Sequence, residues 1–279
     1  MSRRWPPVSA GDQVARYYDD NLQRERARLS ESFYNHLEKR LVLHLVDRYF
    51  AAGGRLLDVG GGPGSYSQDF LDRGFDITLV DISPRAVECA QEQYGGHPRF
   101  RALVLDATEV VSLGRESFDA VLSNGPFYHL IRRSDRDRAA QATWQVLKPG
   151  GRIIAAALTV YSFIRGLLTW EKHDRFLSDE VPCNPRVDGL WSDRCDEHDV
   201  ISPYRTRPEP FRRFFERHGF RTMSMAACKG VLTGLKSLDE APEAVQEKAA
   251  ALMLATCEDP DTLGLSEHIF YVGEKATSA

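Results

Sequence analysis

The chain is predicted to be an α/β protein with a mainly parallel sheet and helices on both faces. Between residues 56 and 157, short apolar runs with strand character alternate with helical patterns, which is typical of such sheets. The first run contains Asp58 and leads directly into a glycine loop at residues 60–64. The next run ends in Asp81, 21 positions after Gly60, where a βαβ unit places a carboxylate to bind ribose hydroxyls. Together these observations predict a nucleotide-type cofactor site.

The glycine loop carries glycines at alternate positions: Gly60, Gly62 and Gly64. Glycine lets backbone N–H groups approach a ligand that any Cβ would block, and the helix that follows directs its positive end at the same point. A nicotinamide oxidoreductase would carry Gly-x-Gly-x-x-Gly, but the sixth position counted from Gly60 is Ser65. The loop therefore favours another nucleotide-type cofactor.

The order of these motifs resembles the class I S-adenosylmethionine (SAM) dependent methyltransferases. The glycine loop and Asp81 are followed by Asp106, at the end of a third strand-like run. Residues 118–124 are similar to the family's fourth strand, and residues 146–154 to its helix, turn and fifth strand. The resemblance covers about residues 50–157, and a softer likeness at 125–130 indicates a bacterial subgroup acting on small molecules. It implies a Rossmann-like fold with a seven-stranded sheet and S-adenosyl-L-methionine as the cofactor.

The resemblance also implies the residues that contact the cofactor. The glycine loop would back the methionine part, Asp81 would hold the ribose, and Asp106 would meet the adenine amino group. Tyr18 and Arg28 would close over the cofactor and meet its carboxylate, although an ordinary amphipathic helix explains them almost equally well. The full cofactor set expected from the resemblance is Tyr18, Arg28, Asp58, Gly60, Gly62, Gly64, Asp81, Ile82, Asp106, Ala107 and Ser123.

The loop after the fourth strand is the expected position of the transferred methyl group, because ligands bind at the carboxyl ends of the strands in open α/β sheets. His129 in this loop is the candidate general base, since an ordinary histidine pKa of about 6.5 suits proton removal near neutral pH. Its alternative role is to cap a helix or position the loop. Asn124 and Tyr128 are the neighbouring candidates for substrate contact; Asn124 begins a segment similar to the Asn-Pro-Pro-Phe loop of amino-group methyltransferases, with Gly125 in place of the first proline.

We expect residues 1–50 to form an N-terminal arm and helical cap, and residues 51–279 to form the SAM-binding domain. The first dozen residues read as the arm, and the helical zone starts at about Val14. Ser83 and Ser134 are the predicted N-caps of two helices. Regular alternation stops at about residues 159–210, which predicts an inserted substrate cover. Its candidate substrate residues are Tyr161, Trp170, His173 and Trp191, although these side chains could equally pack the insertion onto the core.

Composition narrows the choice of partners. The formal net charge is −4, with acids and bases interspersed, so the chain lacks the basic field typical of nucleic-acid binders, and we expect a small-molecule acceptor. No apolar run has the length of about 20 residues that spans a bilayer, which predicts a cytoplasmic protein. The scattered cysteines predict no metal site, because Cys183 and Cys195 with His198 include no close Cys-x-x-Cys pair.

The predicted reaction is in-line transfer of a methyl group from SAM to oxygen or nitrogen of a small molecule, such as a secondary metabolite. Carbon methylation is the first alternative, because the sequence carries no sign of the acceptor atom. The second alternative is a regulatory protein that binds SAM without turnover, since an intact glycine loop indicates binding rather than catalysis.

Overall fold

The structure, a computed structural model, describes residues 10–169 and 204–276. Within these residues the strands are Gly54–Val59 (β1), Phe75–Asp81 (β2), Phe100–Val104 (β3), Phe118–Ser123 (β4), Leu147–Thr159 (β5), Arg205–Thr206 (β6), Phe220–Cys228 (β7) and His268–Lys275 (β8). The α-helices are Ala10–Asp20 (α1), Leu22–Ala27 (α2), Phe33–Tyr49 (α3), Ser67–Asp72 (α4), Pro84–Tyr94 (α5), Pro126–His129 (α6), Arg133–Val146 (α7), Val160–Thr169 (α8), Pro208–Arg217 (α9), Glu243–Thr256 (α10) and Pro260–Leu263 (α11).

All of these strands belong to one sheet, with the order β3-β2-β1-β4-β5-β8-β7 and with β6 beside β5. Strands β1 to β6 pair in parallel, and β8 runs antiparallel to both β5 and β7. The predicted mainly parallel sheet is confirmed, but the expected count of seven strands is wrong because β6 makes eight. The last β4–β5 pair joins Ser123 to Ala155, so β5 continues without β4, and β6 pairs with it at Leu158 and Thr159.

Apolar residues alternate along the strands and bury both faces of the sheet. Leu56 of β1 packs on one face with helices α3, α4 and α10, whereas its neighbour Leu57 packs on the other with α7 and α9. Successive side chains of a strand point to opposite faces, so these runs need helices on both sides. The predicted two-sided arrangement of helices is therefore confirmed.

The N-terminal helices lie close to the glycine-loop edge of the sheet. Helix α1 begins at Ala10, earlier than the predicted end of the arm, and the predicted helical zone divides into α1, α2 and α3. The Asp19 carboxylate accepts hydrogen bonds from Ser83 Oγ at 2.5 Å and from the Arg85 backbone at 3.2 Å. Arg85 also donates to the Asp19 carbonyl at 2.8 Å, so the end of α1 is joined to the start of α5.

One of the two predicted serine N-caps is confirmed. Ser83 caps α5 by accepting a hydrogen bond from the Ala86 backbone, but Ser134 lies inside α7, whose N-cap is Arg132. Buried Arg136 donates from Nη1 to the carbonyls of Leu130 and Ile131, both at 2.6 Å, which supports a helix start before Ser134.

The ends of the predicted insertion have regular structure. Helix α8 follows β5 directly, and regular structure resumes at β6, before the predicted end at residue 210. Residues 170–203 lie outside the described part of the chain. In the described ranges, none of the helices combines the length and apolar character needed to cross a membrane.

Candidate active site

A cavity of about 580 Å³ opens where the parallel strands end, between the sheet and the N-terminal helices. Its volume lies within the range of about 300–1,000 Å³ that is usual for small-molecule sites. The glycine loop after β1 forms its floor, the ends of β2 and β3 form one side, and the loop after β4 forms the other. Helices α1 and α2 cover it with Val14, Tyr17, Tyr18 and Leu22.

The glycine loop adopts a backbone that excludes most side chains. Gly60 and Gly62 have φ values of +72° and +55°. A Cβ on Gly60 would lie 2.8 Å from Pro126, so this glycine allows the β4 loop to approach the β1 loop. No atom lies within 4 Å of a Cβ built on Gly62, which lines the cavity. Gly62 therefore leaves open space for a ligand next to the backbone.

Asp81, at the end of β2, accepts hydrogen bonds from the backbone of the glycine loop and of the segment that follows β2. Its Oδ2 accepts a hydrogen bond from Gly62 N at 2.8 Å, and its Oδ1 accepts one from Ser83 N at 2.8 Å. Burial raises the pKa of Asp81, and these backbone donors oppose the rise. Each carboxylate oxygen has two lone pairs, so both can also accept from a ligand hydroxyl in the cavity.

Asp58 is the second acid beneath the loop, 2% exposed, and its Oδ2 has no partner among the described residues. Burial, with the nearby charge of Asp81, raises the pKa of Asp58 to about 7. An unpartnered buried carboxylate is unfavourable in the absence of a donor or a positive charge. This acid therefore favours a cationic or hydrogen-bond-donating group in the cavity.

Asp106 follows β3 and caps the short 3₁₀ helix that begins at Ala107. Its Oδ1 accepts from both the backbone N and Oγ1 of Thr108, each at 2.7 Å. Its Oδ2 accepts no hydrogen bond from a described residue, and Asp106, Ala107 and Ile82 line the cavity. The free oxygen leaves Asp106 able to bind a ligand N–H.

Arg28, between α2 and α3, contacts two carboxylates. Its Nε donates to Glu25 at 3.0 Å, and its Nη1 lies 3.1 Å and 3.2 Å from the two oxygens of Glu38. Burial alone would raise the pKa of Glu38, but Arg28, with smaller effects of His268 and Asn124, lowers it to about 2. The Nη2 of Arg28 donates to no described residue, so a cavity-facing guanidinium retains two N–H groups for an anion.

Asn124 lies where β4 ends and connects Glu38 to the glycine-loop side. Its Nδ2 donates to Glu38 Oε1 at 3.1 Å and to Tyr66 Oη at 3.2 Å. Its Oδ1 is buried without a partner among the described residues. Tyr128, four positions on, also lines the cavity, and burial raises its pKa.

His129 and Tyr18 meet across the cavity, with 2.7 Å between Tyr18 Oη and His129 Nε2. Burial lowers the pKa of His129 to about 4, so the ring is neutral near pH 7. Burial, with the nearby Tyr128 and Glu25, raises the pKa of Tyr18 well above its usual range, so the phenol stays protonated. A neutral histidine in this position can accept the phenolic hydrogen at Nε2 with its own proton on Nδ1, and in the other tautomer Nε2–H donates to the phenol oxygen.

A second histidine, His268, begins β8 and lines the same cavity. Its Nδ1 is buried without a hydrogen-bond partner among the described residues and lies 3.9 Å from Glu38 Oε2. Burial lowers the pKa of His268. The cavity therefore holds two neutral imidazoles in different settings.

Most of the residues proposed from the sequence lie around this cavity. Those that line it are Tyr18, Arg28, Asp58, Gly60, Gly62, Asp81, Ile82, Asp106, Ala107, Asn124, Tyr128 and His129. Three described candidates do not line it. Gly64 has a φ of +85°, and a Cβ there would lie 2.9 Å from Ser67 and from Tyr94. Ser123 is buried in β4, and the Tyr161 residue of α8 is 38% exposed. The candidates Trp170, His173 and Trp191 lie outside the described residues.

Sequence reasoning missed Glu38, Tyr66 and His268. Tyr66 follows the glycine loop, so its proximity to the site was predictable from that motif. Glu38 lies on α3 among apolar residues, where the 3.6-residue period alone shows that it faces the interior. His268 becomes part of the site because β8 inserts between β5 and β7, and no local sequence pattern specifies that order.

An open parallel sheet with a glycine loop, acids after β2 and β3, and a cavity at the strand ends defines a nucleotide-type cofactor-binding α/β domain. Residues 57–155 match the protein family described as "Methyltransferase domain". Residues 57–155 are thus similar to the SAM-dependent methyltransferase domain, a family whose cofactor is S-adenosyl-L-methionine.

Curated relatives and solved structures agree with this assignment. The chain is 30% identical over 158 residues to malonyl-[acyl-carrier protein] O-methyltransferase of Enterobacter lignolyticus, which covers 53% of this chain and 59% of that protein. It is 24% identical over 196 residues to tRNA 5-carboxymethoxyuridine methyltransferase of Escherichia coli, covering 63% of this chain and 73% of that protein. The chain thus spans 59% of the first relative's length.

The fold is similar to that of a Haemonchus contortus phosphoethanolamine N-methyltransferase 2, solved in complex with phosphomonomethylethanolamine and S-adenosylhomocysteine. The TM-score is 0.62 at 17% sequence identity, and the match covers 98% of this chain and 62% of that one. At this identity the likeness concerns the fold alone, and it confirms the Rossmann-like methyltransferase architecture predicted from the sequence.

Proposed function

We propose that this chain transfers a methyl group from SAM to oxygen or nitrogen of a small molecule. The observation that carries the proposal is the Tyr18–His129 hydrogen bond, which lies in the same cavity as the glycine loop and Asp81. The proposed cofactor-binding groups and a neutral base thus line one cavity. When bound, SAM would supply the methyl group of its sulfonium, and the neutral thioether S-adenosylhomocysteine would be the leaving group.

The residues around the cavity fit this cofactor. The open space at Gly62 accommodates a ligand against the backbone, and the unpartnered Asp58 oxygen suits the positive charge of the methionine part. Asp81 would bind the ribose hydroxyls, and the free Oδ2 of Asp106 would accept from the adenine amino group. The Nη2 of Arg28 would bind the cofactor carboxylate.

Tyr18 and His129 would take up the proton of the acceptor. An acceptor O–H or N–H that donates to Tyr18 Oη passes its proton to the phenol as its oxygen or nitrogen bonds to the methyl carbon. Tyr18 in turn gives its own proton to His129 Nε2, which lies 2.7 Å away. The phenol ends as it began, and the imidazole becomes an imidazolium. General-base catalysis contributes about 10²–10⁴-fold in rate, and the lowered pKa of His129, about 4, places this pair at the lower end of that range.

Positioning supplies the remaining acceleration. Well-oriented intramolecular reactions lower barriers by about 7–11 kcal/mol, so a shaped cavity with one base is sufficient for methyl transfer. Tyr17, Tyr18 and Tyr128 provide flat, largely apolar walls around the acceptor, and covering helices α1 and α2 keep water away.

The charge of the chain favours a small molecule over a nucleic acid. One relative is a tRNA methyltransferase by name, so tRNA is the competing acceptor. A protein that binds nucleic acid neutralises phosphates with a basic surface, whereas this chain has a net charge of −4.

Calorimetric titration with S-adenosylhomocysteine, with NAD(H) as the control, tests the cofactor. Micromolar binding of S-adenosylhomocysteine alone supports the proposal, and binding of neither ligand contradicts it.

A screen that follows S-adenosylhomocysteine release from SAM then compares small alcohols, phenols and amines with bulk tRNA. Turnover with tRNA alone would contradict the small-molecule assignment, and mass spectrometry of a product would distinguish oxygen, nitrogen and carbon methylation. Tight binding without turnover on any acceptor would favour a regulatory protein.

A further inference from the structure

We infer that His268 binds the methyl acceptor, accepting a hydrogen bond at Nε2 from an acceptor hydroxyl or amino group, and that Glu38 is the positioning residue that sets the His268 tautomer. This inference rests on the proposed methyl transfer and specifies its substrate class. The part of the cavity wall formed by His268 would bind a ligand group that donates a hydrogen bond.

The sheet register brings His268 to the cavity. His268 is paired with Leu158 of β5 on one side and with Cys228 of β7 on the other. Strand β8 runs antiparallel, so its first residue lies at the edge where the parallel strands end. Leu158 also lines the cavity, and His268 therefore forms part of the same wall.

The two nitrogens of His268 have different surroundings. Nδ1 is sealed from solvent and faces the Glu38 carboxylate at 3.9 Å, a distance for electrostatic attraction rather than a hydrogen bond. The side chain is nevertheless 17% exposed and lines the cavity, and Nε2 is not among the sealed atoms. Nε2 is thus the ring nitrogen available to a ligand.

Glu38 determines which nitrogen carries the proton. Arg28 keeps this carboxylate ionised, and it accepts from Arg28 and from Asn124 Nδ2. A carboxylate opposite Nδ1 favours the tautomer with hydrogen on Nδ1, which leaves the lone pair on Nε2. Among the other charged groups nearby, Lys229 and Arg28 oppose protonation of the ring and Glu267 favours it. Burial lowers the pKa of His268 further, so the ring is neutral.

The two histidines of the cavity therefore differ in function. The Nε2 atom of His129 is already hydrogen-bonded to the Tyr18 hydroxyl. The Nε2 lone pair of His268 accepts no hydrogen bond from a described residue. His268 is the imidazole with unused acceptor capacity on the cavity wall.

An exposed lone pair selects ligands that donate a hydrogen bond. It attracts the N–H or O–H of an amine, alcohol or phenol. A carboxylate or phosphate oxygen has no hydrogen to donate to it. The acceptor class is therefore a hydroxyl or amino compound without an anionic group at this wall.

Nitrogen NMR of the full chain with ¹⁵N-labelled histidine rings tests the tautomer directly. The His268 signals are identified by their loss in His268→Gln. In the wild-type protein we expect a neutral His268 ring with its proton on Nδ1 from about pH 6 to 8. In Glu38→Gln we expect a mixture of the two neutral tautomers instead of this single one. Glu267→Gln, which removes an acid from the neighbouring residue, keeps the wild-type tautomer. A protonated Nε2, or a charged ring near neutral pH, in the wild-type protein overturns the inference even where Glu38→Gln fails to fold.

Small probes then test recognition in the S-adenosylhomocysteine-bound protein. Phenol and aniline shift the His268 Nε2 signal, whereas benzoate leaves it in place. A response to benzoate alone, or to none of the three at millimolar concentration, overturns the inference.

Kinetics of His268 variants test the same contact with an acceptor found by the screen. His268→Leu raises the KM for this acceptor about tenfold, and His268→Gln, which retains an acceptor oxygen, restores most of the loss. Equal KM values for both variants and the wild type contradict the inference. Failure of S-adenosylhomocysteine to bind contradicts the proposed function and not the His268 tautomer, because the tautomer is measured in the free protein.

Discussion

Tyr18 Oη and His129 Nε2 lie 2.7 Å apart although the two residues are separated by 111 positions in the chain. The contact joins helix α1 to helix α6, which follows β4, and the two rings meet edge to face with centroids 5.4 Å apart. Both side chains line the cavity. His129, the candidate base from the sequence, is thus hydrogen-bonded to a second ionisable side chain, Tyr18.

Replacing Tyr18 with phenylalanine is expected to lower kcat by about a hundredfold, because the acceptor proton loses its route to His129. The affinity for S-adenosylhomocysteine should change little, since the ring remains. Turnover assays and calorimetry on the same variant separate the two quantities. Tyr49→Phe, whose hydroxyl donates to Glu258 on another part of the surface, is the matched control. Equal activity of Tyr18→Phe and the control would exclude the relay.

Acidification should destabilise the fold through His129. Its pKa is about 4 in the folded chain and about 6.5 when unfolded, so the unfolded state binds more protons between these values. Stability is therefore complete above about pH 6.5 and falls as the pH decreases towards 4, with a contribution of about 2 kcal/mol between pH 7 and pH 5. Urea unfolding at the two pH values should show this loss in the wild type and in exposed His36→Gln, but a smaller loss in His129→Gln. An equal loss in all three proteins would contradict the assignment.

Asp81→Asn is expected to weaken S-adenosylhomocysteine binding by about tenfold to a hundredfold. The amide has one acceptor oxygen, so either Gly62 N or Ser83 N loses its partner, and the ribose loses a charged acceptor. Calorimetry measures the affinity. Asp76→Asn, exposed on the same strand, should bind as the wild type does. Unchanged affinity in Asp81→Asn would refute the ribose role.

Alanine at Gly61 and at Gly62 should have opposite effects on folding and binding. A Cβ on Gly61 would lie 2.7 Å from Asp58 Oδ2 and from Leu79, so Gly61→Ala should lower the melting temperature. Gly62→Ala meets no atom within 4 Å, and its φ of +55° costs about 1–2 kcal/mol. It should fold yet bind S-adenosylhomocysteine more weakly. Melting curves and calorimetry on both variants check this, and normal binding by Gly62→Ala would show that the ligand lies elsewhere.

The sequence predicted the parts of the fold that local pattern encodes. The glycine loop, the acids after β2 and β3, and the Ser83 cap have signatures within a few residues, and the structure has Asp58, Asp81 and Asp106 at one cavity. Ser134 was wrong as a cap because α7 begins one residue earlier, where Arg136 donates to the carbonyls of Leu130 and Ile131 in the preceding turn. Strand β6 is too short for any periodicity to mark. His268 joins the site only through the order of distant strands, which depends on the packing of the whole sheet.

The joint between α1 and α5 also has a kinetic consequence. Helix α1 has 11 residues, too few for stability in isolation, and remains over the cavity through Asp19 and Tyr18. A cofactor bound beneath this helix, as proposed, would leave after the bonds of Asp19 and Tyr18 break. We therefore expect detachment and return of one short helix to limit the proposed catalytic cycle, with methyl transfer itself faster than the overall rate.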